Sequence, residues 1–515
     1  MSNLPRRKLT IPPADEYNQQ LVAHVHPPHW SNPQPVDCYD LVVIGAGTAG
    51  LVVAAGAAGL DVGLKVALIE KHLMGGDCLN FGCIPSKCII RSSRVVGEIW
   101  GGEAFGIHTS QQIQVDFSQV MERMRKVRAG ISHHDSATRF QNLGVDVFLG
   151  RGRFASDNII EVDDQKLRFK KAVIATGARA KHPPIKGLEA AGFLTNETVF
   201  SLTQLPRRLA IIGGGPIGCE LAQAFQRLGS QVSLFHKDSH ILNREDPEAA
   251  AIVQNCFIKE KIHLVLNSQI DHIEKTTEGK VIYFVSNGSP MSITVDEILV
   301  ATGRVPNVEG LNLESVGVEY NQTQGVKVND YLQTTNPKIY AAGDICMNWK
   351  FTHAADAAAR IVIKNTLFSP FGLGRYKLSN LVIPWVTYTD PEIAHVGLYE
   401  QQAQEQGMKI NTIKIPFTSV DRAIADGEED GFVKIHHQRG SDTILGATIV
   451  ARHAGETISE VTTAMVNKVG LNGLSSVIHP YPTQAEAIRK AADTYRRTLL
   501  TPTSKRFLRW LTKLS

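Results

Sequence analysis

At 515 residues the chain exceeds what one compact core accommodates, and its length suits about three domains. With 43% hydrophobic and 20% charged residues it reads as a globular protein; it has no apolar run long enough to span a bilayer and no apolar leader followed by small residues, so a cytoplasmic setting is expected. The net charge of +4 is unevenly spread, because six basic and no acidic residues fall between Arg496 and Ser515 and the remainder is slightly acidic; no basic patch with interleaved aromatics points to nucleic acid.

In chain order, residues 1–36 are rich in Pro, His and Gln and predict an extended arm with one helical turn around Glu16–Val25. The fold is expected to start at Tyr39. YDLVVIGAG is a short apolar run entering a glycine turn, TAGLVVAAGAA a small-residue helix, and KVALIEK a second buried strand. Gly45, Gly47 and Gly50 form GxGxxG, and Glu70 closes the second strand. The first glycine permits a tight turn, the second lets backbone approach a pyrophosphate, and the third packs helix on strand. Glu70 is placed for a ribose hydroxyl pair.

Arg207–Lys237 repeats this unit with Gly213, Gly215 and Gly218, so two dinucleotide sites are expected. There the strand ends on His236 and Lys237, with Arg244 nearby, instead of an acid. A basic residue at that position favours a 2′-phosphate, hence NADPH, with NADH the alternative. KAVIATGARA and EILVATGRVPN each predict a strand ending in Ala-Thr-Gly, and KIYAAGDI follows. From about Tyr376, alternating strands (PWVTYTD, GFVKIHH, ILGATIV) and helices at Ala454–Val469 and Thr483–Leu499 suggest an α+β domain.

The seven cysteines are odd in number and sparse, which argues against a secreted disulfide framework. No second close pair is present to complete a structural zinc site. Cys78 and Cys83, in GGDCLNFGCIPSK, are flanked by glycines that allow the sharp turn a disulfide needs. A helix starting near Pro85 would stabilise a Cys83 thiolate with its N-terminus. Lys87 lies one turn on, on the same face, and Cys88 points about 140° away, as a buried small hydrophobe would.

Together these segments, from about Tyr39 to Tyr495, resemble the class I pyridine nucleotide–disulfide oxidoreductases. The resemblance implies two Rossmann-like domains and a C-terminal α+β dimerisation domain. Its expected divisions are residues 37–184 with 307–375 for FAD, 185–306 for NAD(P)H, 376–499 for the interface and 500–515 for a basic amphipathic tail. Gly76, Thr176, Gly177 and Asp344 join the FAD set, and Gly303 the nicotinamide set. Lys87 reaches the flavin, Glu220 pairs with Lys87, Cys83 faces the flavin, and Cys78 faces the substrate. A homodimer completes each active site.

In HPYPTQAEAIRKAADTY, Pro482-Thr483 and Glu486 align with the family's His-Pro-Thr-x-x-Glu, which puts Tyr481 in the acid/base histidine slot. A tyrosine is a poor proton shuttle at neutral pH but can assist a metal held by thiolates. The mercuric reductases are similar here, so Hg(II) bound by Cys78 and Cys83 is the expected substrate. The chain departs from them in having no CxxC in residues 1–36 and no Cys after Cys346. Two alternatives stand beside this reading. One is a dihydrolipoamide dehydrogenase or other disulfide reductase with His479 as base. The other is a low-turnover redox sensor whose accessible, low-pKa Cys78 exchanges with glutathione or glutaredoxin. The tail residues Phe507, Leu508, Trp510, Leu511 and Leu514 carry helical spacing opposite Lys505, Arg506, Arg509 and Lys513. Packing on the dimer is the favoured use of that face, and contact with an anionic membrane surface the alternative.

Overall fold

A computed structural model describes residues 9–108 and 113–514. The chain separates into two compact units. One runs to Gly213 and takes in Ala224–Val232 and Ile270–Leu381; the other comprises Gly214–Gln223, Ser233–Gln269 and Val382 onward.

The first unit is built on a sheet whose central strands are parallel. Val145–Leu149, Val66–Glu70, Tyr39–Ile44, Gln165–Ile174 and Ile339–Ala341 lie side by side. Leu41–Ile44 and Val66–Ile69 are continuous apolar runs because both faces are covered. Helices Thr48–Ala58 and Thr352–Leu367 pack together at Gly56, where a Cβ would come within 2.5 Å of Ile363 Cδ1. The small-residue composition of the first helix is what that approach requires. The Gln165–Ile174 strand also pairs antiparallel with Ile159–Val162, which continues to Gly152–Ser156. Strands Arg208–Ile212 and Glu297–Val300 run parallel, as the second glycine motif predicts.

The arm differs from the sequence expectation. Glu16–Val25 is a ten-residue helix, N-capped by the Asp15 carboxylate on the Asn18 amide at 2.9 Å. Leu21, Val22 and Val25 bury one face. Asn18 is buried too, its Oδ1 accepting from Arg128 of the Phe117–Ile131 helix at 2.6 Å. Buried contacts of this kind hold the segment in place, so a single turn in an extended arm understates it. Residues 1–8 of the expected arm lie outside the described residues.

The second unit contains a five-stranded antiparallel sheet in the order Pro384–Thr387, Glu392–Gly397, Ile444–Ala451, Phe432–Gln438, Ile410–Pro416. Helices Ala454–Val466 and Glu486–Thr498 cover it, burying Ile458, Val461, Ile488 and Ala491 in one core. The expected α+β pattern is present, with Glu392–Gly397 and Ile410–Pro416 as strands that the sequence did not mark. Pro502–Leu511 forms a further helix. Among the described residues no helix is long and apolar enough to cross a membrane.

Candidate active site

The first glycine turn has the shape of a nucleotide cradle. Gly45 sits at φ +104°, and a Cβ there would be 2.4 Å from the Ala175 carbonyl oxygen; one on Gly50 would be 1.8 Å from the Gly45 oxygen. The helix behind begins at Thr48 with Gly47 as N-cap and no side-chain cap, which leaves its first amides directed at the cradle. Glu70 is buried; it accepts from the Ala46 amide at 2.7 Å and the His72 amide at 2.8 Å. Burial raises the Glu70 carboxyl above its ordinary value, opposed by those two amides. Gly45, Gly47, Gly50 and Glu70 therefore fit a dinucleotide's pyrophosphate and ribose. Thr176 and Gly177 lie against the same turn. Their loop is clamped by Asn307, whose Nδ2 donates to the Thr176 oxygen at 2.9 Å and whose own carbonyl accepts from Thr176 Oγ1 at 2.9 Å.

The dithiol segment is tied to this cradle. The Gly75 amide donates to the Ala46 oxygen at 2.8 Å. Gly75 and Gly76 have φ of +89° and +57°, and a Cβ on Gly76 would come 2.6 Å from Gly47 Cα. Only glycine lets the two turns pass so closely. Cys78 sits in the short helix Gly76–Asn80, and Cys83 is the first residue of Cys83–Gly101. That helix starts two residues before the expected Pro85, so Cys83 lies at its N-terminus. Both cysteines are free thiols, and they hydrogen-bond to one another. Thr352 Oγ1 lies 3.3 Å from Cys83 Sγ.

Cys78 does not meet the low-pKa expectation. Its hydrogen bond to Cys83, then burial and the Cys83 charge, push its thiol well above the ordinary value, with Thr352 opposing. Cys88 is half-buried, its thiol raised by burial, in keeping with a packing role.

Sequence reasoning missed Arg304. Its guanidinium pairs with Asp77, beside Cys78, and with Asp344 at 3.2 Å, and donates to the Ala178 oxygen at 2.7 Å. Burial raises the Asp344 carboxyl, opposed by Arg304 and Lys350. The signal was the residue after Gly303 in the second Ala-Thr-Gly strand. Gly303 itself has φ +118° and open space around it. Lys87 lies on the Cys83–Gly101 helix, in the first unit.

The second glycine motif starts at Gly213, φ +120°, where a Cβ would be 2.4 Å from the Ala301 oxygen. Gly215 and Gly218 belong to the second unit, at the start of the Pro216–Leu228 helix. His236 Nδ1 accepts from the Gly214 amide at 3.2 Å, the same service Glu70 gives Ala46. Burial lowers the His236 pKa. Lys237 and Arg244 are exposed. Glu220, buried in that unit, accepts from the Tyr388 amide at 3.0 Å.

At the C-terminal stretch each of the three expected residues has a partner of its own. Tyr481 is 71% exposed and donates to Asp421 Oδ2 at 2.9 Å; that bond and the Asp421 charge raise its pKa. The His479 side chain is 5% exposed, with Nε2 2.8 Å from Glu460 Oε1 and Nδ1 3.2 Å from the Val477 oxygen. Glu486 is buried and binds Arg489 at 3.0 Å, while its Oε2 accepts no hydrogen bond. Among the described residues Glu486 pairs with Arg489 and not with a histidine. Asp421 and Glu460 were missed because they lie 60 and 19 residues from their partners.

Among the described residues no cluster of three or more His, Cys, Asp or Glu could hold a resident metal ion. Residues 39–359 match the model of the pyridine nucleotide-disulphide oxidoreductases, and residues 383–492 that of their dimerisation domain, which supports a homodimer. A mercuric reductase of Lysinibacillus sphaericus is 35% identical over 90% of this chain and 84% of its own length. A dihydrolipoyl dehydrogenase of Bacillus subtilis is 32% identical over 88% and 97%. The HOCl-induced flavoprotein disulfide reductase RclA from Escherichia coli superposes with TM-score 0.77 and 27% identity, covering 88% of this chain and 99% of that one; its Cu(II) complex gives 0.78, 26%, 89% and 100%. The chain belongs to the pyridine nucleotide-disulphide oxidoreductases, flavoproteins that use FAD and NAD(P)H around a disulfide redox centre.

Proposed function

We propose that this oxidoreductase carries electrons from NADPH through FAD and the Cys78–Cys83 pair to a thiophilic metal ion, Hg(II) foremost. The balance is NADPH + Hg(II) giving NADP⁺, H⁺ and Hg(0). FAD, when bound, supplies the hydride acceptor and the two-electron relay to the disulfide. Gly45, Gly47, Gly50, Glu70, Gly76, Thr176, Gly177 and Asp344 would hold it, with Lys87 reaching the flavin. Gly213, Gly215, Gly218, Gly303, Lys237 and Arg244 would hold NADPH, the two basic residues selecting its 2′-phosphate over NADH.

Cys83 sits at a helix N-terminus with the Thr352 hydroxyl beside it, the end of the pair suited to carry negative charge. Cys78 keeps its proton until a soft cation displaces it, and two thiolates then ligate the ion. Tyr481 donates its hydroxyl hydrogen bond to Asp421, which leaves the phenol oxygen's lone pairs for the metal, offered across the dimer. The observation that carries this reading is Tyr481 in the histidine slot, bonded to Asp421, with Glu486 paired to Arg489.

A disulfide reductase with His479 as base is the competing reading, favoured by the dihydrolipoyl dehydrogenase relatives. Engagement of both His479 ring nitrogens by acceptor oxygens counts against it. The raised Cys78 thiol counts against a glutathione-exchanging sensor. The deciding experiment compares NADPH oxidation with thiol-buffered Hg(II), Cu(II), lipoamide and glutathione disulfide side by side. Hg(II) should give the highest kcat/KM; a tenfold preference for either disulfide would replace this reading with the second.

A further inference from the structure

The dithiol chemistry leaves the C-terminal tail unused. Pro502–Leu511 is a helix with Thr501 as N-cap, its hydroxyl accepting from the Ser504 amide at 3.2 Å, and proline in the first turn. At about 100° per residue, Phe507, Leu508, Trp510, Leu511 and Leu514 fall within one sector of about 160°. Lys505, Arg506, Arg509 and Lys513 fall within an opposing sector of about 100°. Neither set intrudes on the other. Arg496 and Arg497 add charge at the root of the tail, and no acidic residue follows them.

The apolar sector is uncovered. Its five side chains are between 40% and 66% exposed, and no residue of the helix is buried. Phe507 and Trp510 stack with centroids 5.8 Å apart, making one aromatic ridge. Leu499 and Leu500, also exposed, extend the apolar surface toward the preceding helix. A contiguous patch of this kind marks an interaction surface.

Charge selects the occupant. A second copy of this chain offers a body that is only slightly acidic, a weak match for three cations on one helix face and Lys513 just past its end. A bilayer rich in anionic phospholipid presents negative headgroups along the plane in which the basic sector lies. Just below is an apolar layer for the leucines, with a boundary that suits tryptophan. Long Lys and Arg stems reach up to the headgroups while their methylenes stay in contact with the apolar layer. The helix is too short and too charged to cross, so it lies in the interface. A homodimer carries two such helices, and tethering raises the effective affinity of a contact that is weak singly.

We propose that Pro502–Leu511 docks the enzyme, in plane, on a membrane surface rich in anionic phospholipid. The test is flotation of the full-length FAD-loaded protein with vesicles of phosphatidylcholine alone or with one third phosphatidylglycerol, at low salt. Most of the protein should float with the anionic vesicles, and at least tenfold less with phosphatidylcholine or in 0.5 M NaCl. Deletion of residues 501–515, the pair Phe507→Ser and Trp510→Ser, and the pair Arg506→Gln and Arg509→Gln should each reduce flotation at least tenfold. FAD content and dimer size should stay unchanged in all three. The proposal is overturned if anionic vesicles float no protein, if the deletion floats as well as the full chain, or if the deletion turns dimer into monomer, which would assign the face to a second copy. Vesicle binding is read without any metal substrate, so its outcome is separate from that of the mercury assay.

Discussion

His479 Nε2 lies 2.8 Å from Glu460 Oε1, so a carboxylate engages the imidazole two residues before Tyr481. With its side chain buried and paired to Glu460, His479 would brace the Ala454–Val466 helix in the proposed mechanism and leave proton transfer aside. His479→Gln should cost about 1–2 kcal/mol of stability and leave Hg(II)-dependent turnover within about threefold of wild type. Tyr481→Phe should do the opposite, with stability unchanged and turnover about tenfold lower. Urea unfolding and steady-state assays on both variants separate the roles. A collapse of turnover in His479→Gln alone would transfer the base duty to the histidine.

Arg128, 1% exposed, donates to the Asn80 oxygen at 2.8 Å and to Asn18 at 2.6 Å, so one buried guanidinium joins the arm helix to the dithiol segment. Burial lowers its pKa to about 10. Arg128→Met removes both bonds and strands two acceptors, a loss of about 3 kcal/mol. The midpoint of urea unfolding should fall accordingly, and alkylation of Cys78 by iodoacetamide should quicken. An unchanged midpoint would mean that the arm does not brace the dithiol.

Thr352 touches Cys83 and acts on Cys78 as well. A hydroxyl that donates to sulfur favours the thiolate. Thr352→Val should therefore move the pH midpoint of dithiol alkylation upward by about half to one unit. A midpoint that stays in place would remove Thr352 from the redox site.

Burial pushes His395 down to about 3, below the value of about 6.5 expected in the unfolded chain. Thr448 at 2.8 Å and the Gly397 oxygen at 3.2 Å satisfy its neutral ring, which stacks on Tyr399 with centroids 3.7 Å apart. Between those two pKa values the unfolded chain binds a proton that the folded one refuses. Stability is thus lost as pH falls below about 6.5, by about 2 kcal/mol at pH 5. Unfolding at pH 7 and pH 5 should show this loss, and His395→Gln should flatten it. An equally steep acid loss in the variant would point to other groups.

Glu70 carries the reverse case. Its carboxyl is raised by burial, so the ionised form costs the empty protein stability above its folded pKa, and the cost eases as pH falls toward that value. Glu70→Gln removes the buried charge but leaves one of the two amides without an acceptor, so the stability of the FAD-free protein should change little at neutral pH. The variant should release FAD about tenfold faster, because the carboxylate's bonds to ribose are lost. Retention of FAD at the wild-type rate would detach Glu70 from the cofactor.

Much of this architecture was legible because its determinants are local. Gly45, Gly47 and Gly50 with Glu70 need one another within a single strand–helix–strand unit, and the Cys78–Cys83 spacing carries its own turn. The arm helix was underestimated because its prolines and histidines obscured the three-residue apolar face of Leu21, Val22 and Val25 behind the Asp15 cap. Arg304 with Asp77 and Asp344, Thr352 with Cys83, and Asp421 with Tyr481 left no trace in spacing. Each joins segments between 40 and 269 residues apart, and only the folded chain brings them together.

In the proposed mechanism electrons leave through Cys78 and Cys83 to a soft ion. NADPH oxidation with thiol-buffered Hg(II), measured with release of elemental mercury for wild type and Cys83→Ala, tests it most directly. Wild type should release one Hg(0) for each NADPH consumed, and Cys83→Ala should fall at least about a hundredfold with FAD still bound. Full Hg(II)-dependent activity in Cys83→Ala would contradict the mechanism.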